Sequence, residues 1–338
     1  VNPPFVALLS LALLSSLPGA AHGNQPDTEV IADAYASPGQ RVELADGRAL
    51  NLRCSGEGEP VVVLEAGGNM DSSTWYRVQP RLAQLTRVCA YDRAGYGFSD
   101  EGPYPRDLEA DVADLHAFIR ASGIPTPVLL VGHSLGSNIV RRAAQLHPGM
   151  VAGLVLVDPP EQGPDDLFPE DWRLQVASRV AQREEILGAC EGAAEAGDMD
   201  TIRQACLRAP PPWMSEPVAA AMTHNKAKPS YWRTLRSELA HNIDLFSAPV
   251  DADESYGSIP LVLLAATRQD GVPDEVRAVI GAARRETHAR ILAASTRSSL
   301  VEVADASHDI QLDQPDEVVS AVKRLLGAGT GADAPAGN

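Results

Sequence analysis

An α/β fold with a mostly parallel central sheet, helices on both faces and an inserted helical cap is what this chain of 338 residues predicts. Three observations carry it. Short apolar runs alternate with helix-period segments through the first half of the chain, which is the pattern of βαβ units. The alternation breaks near residue 161 and resumes near 256, leaving a helix-like block between. One apolar run, 128–131, leads into Gly132-His133-Ser134-Leu135-Gly136 and then a helical stretch. Strand, sharp turn and helix is the setting in which G-x-S-x-G lifts a serine out of the backbone.

The elements follow in order. Residues 5–17 form an apolar run too short to span a bilayer comfortably, and Pro18-Gly19-Ala20-Ala21 supplies small residues suited to signal peptidase. Residues 1–23 therefore read as a cleaved secretory signal. The expectation is a secreted or periplasmic protein with no stable membrane anchor. Residues 41–52 alternate polar and apolar across Asp46-Gly47, the mark of a hairpin. Strands are predicted at 60–64, 87–91, 128–131 and 151–157, and helices at 75–85 and 107–121. In the second helix, Leu108, Val112, Leu115 and Ile119 repeat at helical spacing. The core is assigned to 24–160 and 256–326 and the cap to 161–255. The alternation resumes with a strand at 259–265, a helix at 273–294, a strand at 300–303 and a helix at 315–326. Pro315, Asp316 and Glu317 make a good start for that last helix. The Gly/Ala/Pro-rich segment 327–338 reads as a disordered tail.

Composition narrows the function. Charged residues make up 22% and apolar residues 44%, as in ordinary globular proteins. The net charge of −17 argues against nucleic acid or an anionic membrane as partner. Four cysteines allow three pairings. Cys190 and Cys206 bracket a short polar segment and are the favoured pair. Cys54 and Cys89 lie in or beside predicted strands, where a bridge and two buried thiols are equally good readings. None has zinc-ligand spacing, and neither metal nor cofactor is implied.

Ser134 needs a base to become a nucleophile. Of eight histidines, His308 follows the final predicted strand and so lies at the same sheet edge as Ser134. The base needs a carboxylate to fix its tautomer. Asp270, after the strand at 261–264, is the first choice, and the order Ser134, Asp270, His308 suits the fold. Asp158, at the end of the strand after the turn, competes as the alternative acid. Backbone N–H groups of Leu135 and Gly68 are the candidates to hold an oxyanion. His133 points away from the turn by alternation and reads as a packed structural residue.

Taken together, 62–67 (Val-Val-Leu-Glu-Ala-Gly), 91–99 (Tyr-Asp-Arg-Ala-Gly-Tyr-Gly-Phe-Ser), the serine turn, 153–158 and His308 through Asp316 resemble the α/β-hydrolase superfamily, in its branch of small serine hydrolases with a helical cap. The resemblance implies a triad of Ser134, Asp270 and His308, and a structural role for Asp92 and Arg93 in bracing the loop. The chain departs from the family in having Ala66-Gly67 where His-Gly is usual, Ser137 where a second Gly is common, and a long segment between Asp270 and His308. The expected function is hydrolysis of a small-molecule carboxylic ester with an apolar acyl or aryl group. The apolar pocket would be lined by cap side chains among Phe168, Trp172, Trp213, Met214, Met222, Trp232 and Phe246, which otherwise form the cap's own core. An amide or peptide hydrolase of the proline-aminopeptidase type and a non-catalytic ligand-binding homologue are the alternatives.

Overall fold

The computed structural model describes residues 29–163, 168–269 and 272–329. The expected signal segment and residues 330–338 lie outside the described residues. The elements are β1 (Gln40–Glu43), β2 (Ala49–Ser55), β3 (Val62–Glu65), α1 (Gln79–Leu82), β4 (Val88–Tyr91), α2 (Leu108–Ala121), β5 (Val128–His133), α3 (Leu135–Leu146) and β6 (Val151–Val157). Then come α4 (Glu170–Glu195), α5 (Glu216–Lys226), α6 (Pro229–Ser247), β7 (Leu261–Ala266), α7 (Asp274–Ala293), β8 (Ser298–Val303), α8 (Ile310–Asp313) and α9 (Pro315–Gly329). A short helical turn at 199–206 links α4 to α5.

One eight-stranded sheet runs β1-β2-β4-β3-β5-β6-β7-β8. The β1–β2 and β2–β4 pairs are antiparallel and all the others parallel. Gly47 takes φ +87° in the β1–β2 turn, where a side chain would strain the backbone. The strands from β3 to β7 are buried on both faces, so they read as continuous apolar runs and not as alternating ones. Successive residues nonetheless go to opposite layers. Val128, Leu130, Leu154 and Leu156 join α2 and α3 on one side. Leu129, Val131, Val155 and Val157 join Trp75, Leu82, Val318 and Val322 on the other.

Helix α2 begins where Asp107 accepts a hydrogen bond from the Ala110 N–H at 2.9 Å, a side-chain cap for an otherwise unpaired donor. Helix α9 runs to Gly329, past the expected end at Leu326. The predicted helix at 75–85 is a 3₁₀ turn, Ser72–Trp75, followed by the short α1.

Between β6 and β7 the described residues form helices and no strand. Their large apolar side chains are engaged in packing. Phe168 and Trp172 lie against Val276 and Ile280 of α7. Trp232 packs with Leu187 and Ile202, Trp213 stacks on Tyr76 at 5.0 Å between ring centres, and Met214 and Met222 join the same group. Phe246 reaches the main core. These contacts match the reading of the side chains as the segment's own core, with Trp213, Met214 and Met222 left half-buried.

Both cysteine pairs are bonded: Cys54–Cys89 joins β2 to β4, and Cys190–Cys206 ties α4 to the turn after it. The latter spans a separation of 16 residues. Replacing Cys190 and Cys206 together by Ser should lower the unfolding free energy by about 3 kcal/mol, read from urea denaturation.

Candidate active site

The serine turn is fixed by backbone crowding. Ser134 sits at φ 52°, ψ −122°, a sparsely populated conformation for an L residue. A Cβ on Gly132 would lie 2.4 Å from the Gly136 carbonyl oxygen, and one on Gly136 2.6 Å from the carbonyls of Glu65 and Ala66. Strand β5, helix α3 and the end of β3 can approach this closely only because both positions lack side chains. The Ser134 N–H donates to the Val157 carbonyl at 3.0 Å, which continues the sheet through the strained residue. Ser137, which stands where a second glycine is common, donates from both its N–H and its hydroxyl to the Ser134 carbonyl. Leu135 opens α3, so its N–H is one of the helix's first four without an intrahelical acceptor. The positive end of the helix dipole lies at the same place.

His308 follows β8 and precedes α8. Its Nδ1 bonds Asp158 Oδ2 at 2.7 Å. Asp158 directly follows β6, with φ 48°. Its other oxygen, Oδ1, accepts from the Ala266 N–H at 2.8 Å and from the Arg284 guanidinium. The acid is 5% exposed and the imidazole 32%. The structure thus brings together His308 and Asp158, while Asp270 lies outside the described residues.

Electrostatics follow from these contacts. Burial favours the neutral His308 ring, but the bond to Asp158 and that residue's charge outweigh burial, so the His308 pKa lies above its ordinary value. Burial also works against the Asp158 carboxylate. The hydrogen bond and charge of His308, the charge of Arg284 and the Ala266 N–H together hold its pKa below the usual range. Two neighbouring histidines go the other way. Burial, reinforced by the charge of His308, pulls His133 down to about 4, and burial with the charge of Arg284 does the same to His288. His133 is neutral at pH 7. With an N–H on Nε2 it donates to the His308 carbonyl at 3.0 Å, and it packs under the loop after β3, where a Cβ on Gly67 would come within 2.8 Å of its Nδ1. It supports the segment that carries His308.

The loop after β3 carries Gly68 next to Leu135. A Cβ there would lie 3.7 Å from the Leu135 side chain. Arg93 braces this loop by donating to the carbonyls of Ala66 at 2.6 Å and Gly67 at 2.8 Å. Asp92 accepts from Ser72 N–H at 2.8 Å, Phe98 N–H at 3.0 Å and the Asn51 amide at 2.8 Å. Among the described residues no group of three or more His, Cys, Asp or Glu could hold a metal ion.

A model described as the alpha/beta hydrolase family matches residues 61–321. The chain belongs to the alpha/beta hydrolase family. Among its curated relatives are an N-formylmaleamate deformylase of Pseudomonas putida, 39% identical over 115 residues, and a 2-hydroxymuconate semialdehyde hydrolase of a Pseudomonas species, 33% identical over 123 residues. These matches take in 33% and 34% of this chain, and 42% and 41% of the relatives' lengths. The chain therefore spans less than half the length of the curated relatives it matches. A thermophilic esterase from Thermogutta terrifontis shares its fold, with a TM-score of 0.58 at 20% identity, over 86% of this chain and 98% of the esterase. An epoxide hydrolase does so with a TM-score of 0.61 at 18% identity, over 86% of this chain and 98% of its own.

In this alpha/beta hydrolase, three residues around the site escape sequence reading. Arg284 lies in α7, and nothing in its local sequence marks it as the partner of an acid 126 positions earlier. Glu238 and Tyr231 of α6 reach Asn69 in the loop after β3. Glu238 does leave a signal, for Tyr231, Leu235, Glu238, Asn242 and Phe246 repeat at helical spacing, and a carboxylate on such a buried stripe needs a partner. An NMR titration of the His308 ring should give a pKa above the ordinary 6.5. Asp158→Asn should bring it below the wild-type value, since the largest raising influences are lost.

Proposed function

We propose that the protein is a serine hydrolase that cleaves carboxylic esters of small molecules through an acyl-enzyme intermediate. Ser134 is the nucleophile, His308 the general base and acid, and Asp158 the carboxylate that orients His308. The observation that carries this is the 2.7 Å bond between His308 Nδ1 and Asp158 Oδ2, at the sheet edge where the strained Ser134 stands. The named hydrolases among the relatives support the general class.

With Nδ1 bonded to the acid, Nε2 is the ring atom left to accept a proton. As Ser134 Oγ attacks the ester carbon, His308 takes the hydroxyl proton. The negative charge that forms on the carbonyl oxygen is received by the N–H groups of Leu135 and Gly68. Collapse of the tetrahedral intermediate expels the alcohol, which His308 protonates. Water then gives a proton to His308, attacks the acyl carbon and frees the carboxylic acid and the Ser134 hydroxyl. No step calls for a metal or cofactor.

Asp158 is preferred to Asp270 for the acid role because, among the described residues, it is the carboxylate bonded to the imidazole. Its low pKa keeps it charged across the working range, as an orienting partner requires. The two disulfide bonds support export to an oxidising compartment. No helix among the described residues is long and apolar enough to cross a membrane.

A fluorophosphonate probe should label the wild type, and Ser134→Ala should abolish both labelling and hydrolysis of p-nitrophenyl esters. Asp158→Asn should cut kcat by about 10³- to 10⁴-fold, while Asp270→Asn leaves it close to wild type. A larger loss in Asp270→Asn returns the acid role to that residue. Only neutral His308 can act as base, so kcat/KM should fall as pH drops through its raised pKa. The acid limb is therefore expected above pH 6.5. A rate that stays flat down to about pH 5 would exclude His308.

A further inference from the structure

We propose that Glu238 and Tyr231, on helix α6 of the inserted segment, are positioning residues that hold the oxyanion loop in its working shape. The inference rests on the ester-hydrolase reading above. The Asn69 N–H donates to Glu238 Oε1 at 3.0 Å, and the Tyr231 hydroxyl donates to Asn69 Oδ1 at 2.5 Å. Arg93 Nη2 reaches both the Gly67 carbonyl, at 2.8 Å, and Glu238 Oε2, at 2.9 Å. The segment 67–69 is thus gripped at its carbonyl, its N–H and its side chain. Two of those contacts come from one helix 162 and 169 positions away.

The grip has a reason. Asn69 sits at φ 59°, a left-handed conformation that its neighbours must hold in place. Gly68 lies between Glu238 and Leu135, since a Cβ on it would be 3.3 Å from Glu238 Oε1 and 3.7 Å from the Leu135 side chain. A bare carboxylate so close to a developing oxyanion would oppose it. Arg93 offsets that charge: it is buried with side chains of Glu238 and Glu65 on either side, at 2.9 Å each. The placement of the Gly68 N–H therefore depends on a helix of the insertion, and the oxyanion hole is complete only with that helix docked.

An oxyanion donor acts in the transition state far more than on bound substrate, so displacing it lowers kcat and spares KM. Glu238→Ala should reduce kcat by about ten- to a hundredfold with KM within about threefold of wild type. Glu238→Gln keeps an oxygen for the Asn69 N–H but sets an amide NH2 against the Arg93 donor, so it should recover only part of the loss. Tyr231→Phe should give a smaller loss of the same kind. Arg236→Ala, on the exposed side of α6, serves as the control and should match wild type.

Two measurements on the full chain decide the matter: hydrogen exchange of the peptide spanning 66–70, and the rate of fluorophosphonate labelling. Faster exchange with slower labelling supports the assignment. Unchanged exchange in Glu238→Ala and Tyr231→Phe overturns it, as does faster exchange with wild-type labelling. If Glu238→Ala does not fold, Tyr231→Phe carries the same decision. A wild type inert to the probe overturns the hydrolase reading itself, and the role of Glu238 with it, whatever the exchange shows.

Discussion

Everything at this site depends on one close approach of backbone to backbone. The Gly136 carbonyl sits where a side chain on Gly132 would be, and the carbonyls of Glu65 and Ala66 sit where one on Gly136 would be. That contact forces the chain to reverse at Ser134 in a conformation that no isolated peptide would hold. It also brings the start of α3 beside the end of β3, so that Leu135 and Gly68 face one another. The cost of the reversal is met by the surroundings: a hydrogen bond to Val157 keeps Ser134 in the sheet, and Ser137 holds its carbonyl.

The parallel order of β5, β6, β7 and β8 does the rest of the positioning. The carboxyl ends of those four strands fall on one edge, and whatever follows each strand is brought to the same place. Ser134 follows β5, Asp158 follows β6 and His308 follows β8. They are far apart in the chain and close in space because the strands are in register.

This explains which parts were legible in the sequence. The serine turn could be read because its meaning is local: an apolar run, two glycines, then helical spacing. The hairpin at Gly47 and the helix predicted at 107–121 are local too. So is the Cys190–Cys206 pair, whose separation is short. The choice between Asp158 and Asp270 was not legible, since each follows a run that the sequence marks as a strand of the same parallel set. What favours Asp158 is a left-handed backbone at that residue and the course of the loop after β8, and neither has a sequence signature. The aromatic residues of the insertion were ambiguous for a related reason. Composition says that they will be buried but not against what, and they pack within the insertion and onto α7, Tyr76 and the core. The partnership of Arg93 with Glu238 lies out of reach too, since it joins residues 145 positions apart.

The two oxygens of Asp158 have separate duties. One faces the imidazole, and the other is locked to the Ala266 N–H and Arg284. A carboxylate fastened from behind in this way cannot swivel to follow its partner. The aspartate is thus a fixed pivot against which the imidazole can turn. Under the mechanism proposed above, a proton passing from the serine to a departing alcohol would ride on the rocking of a single ring about that bond.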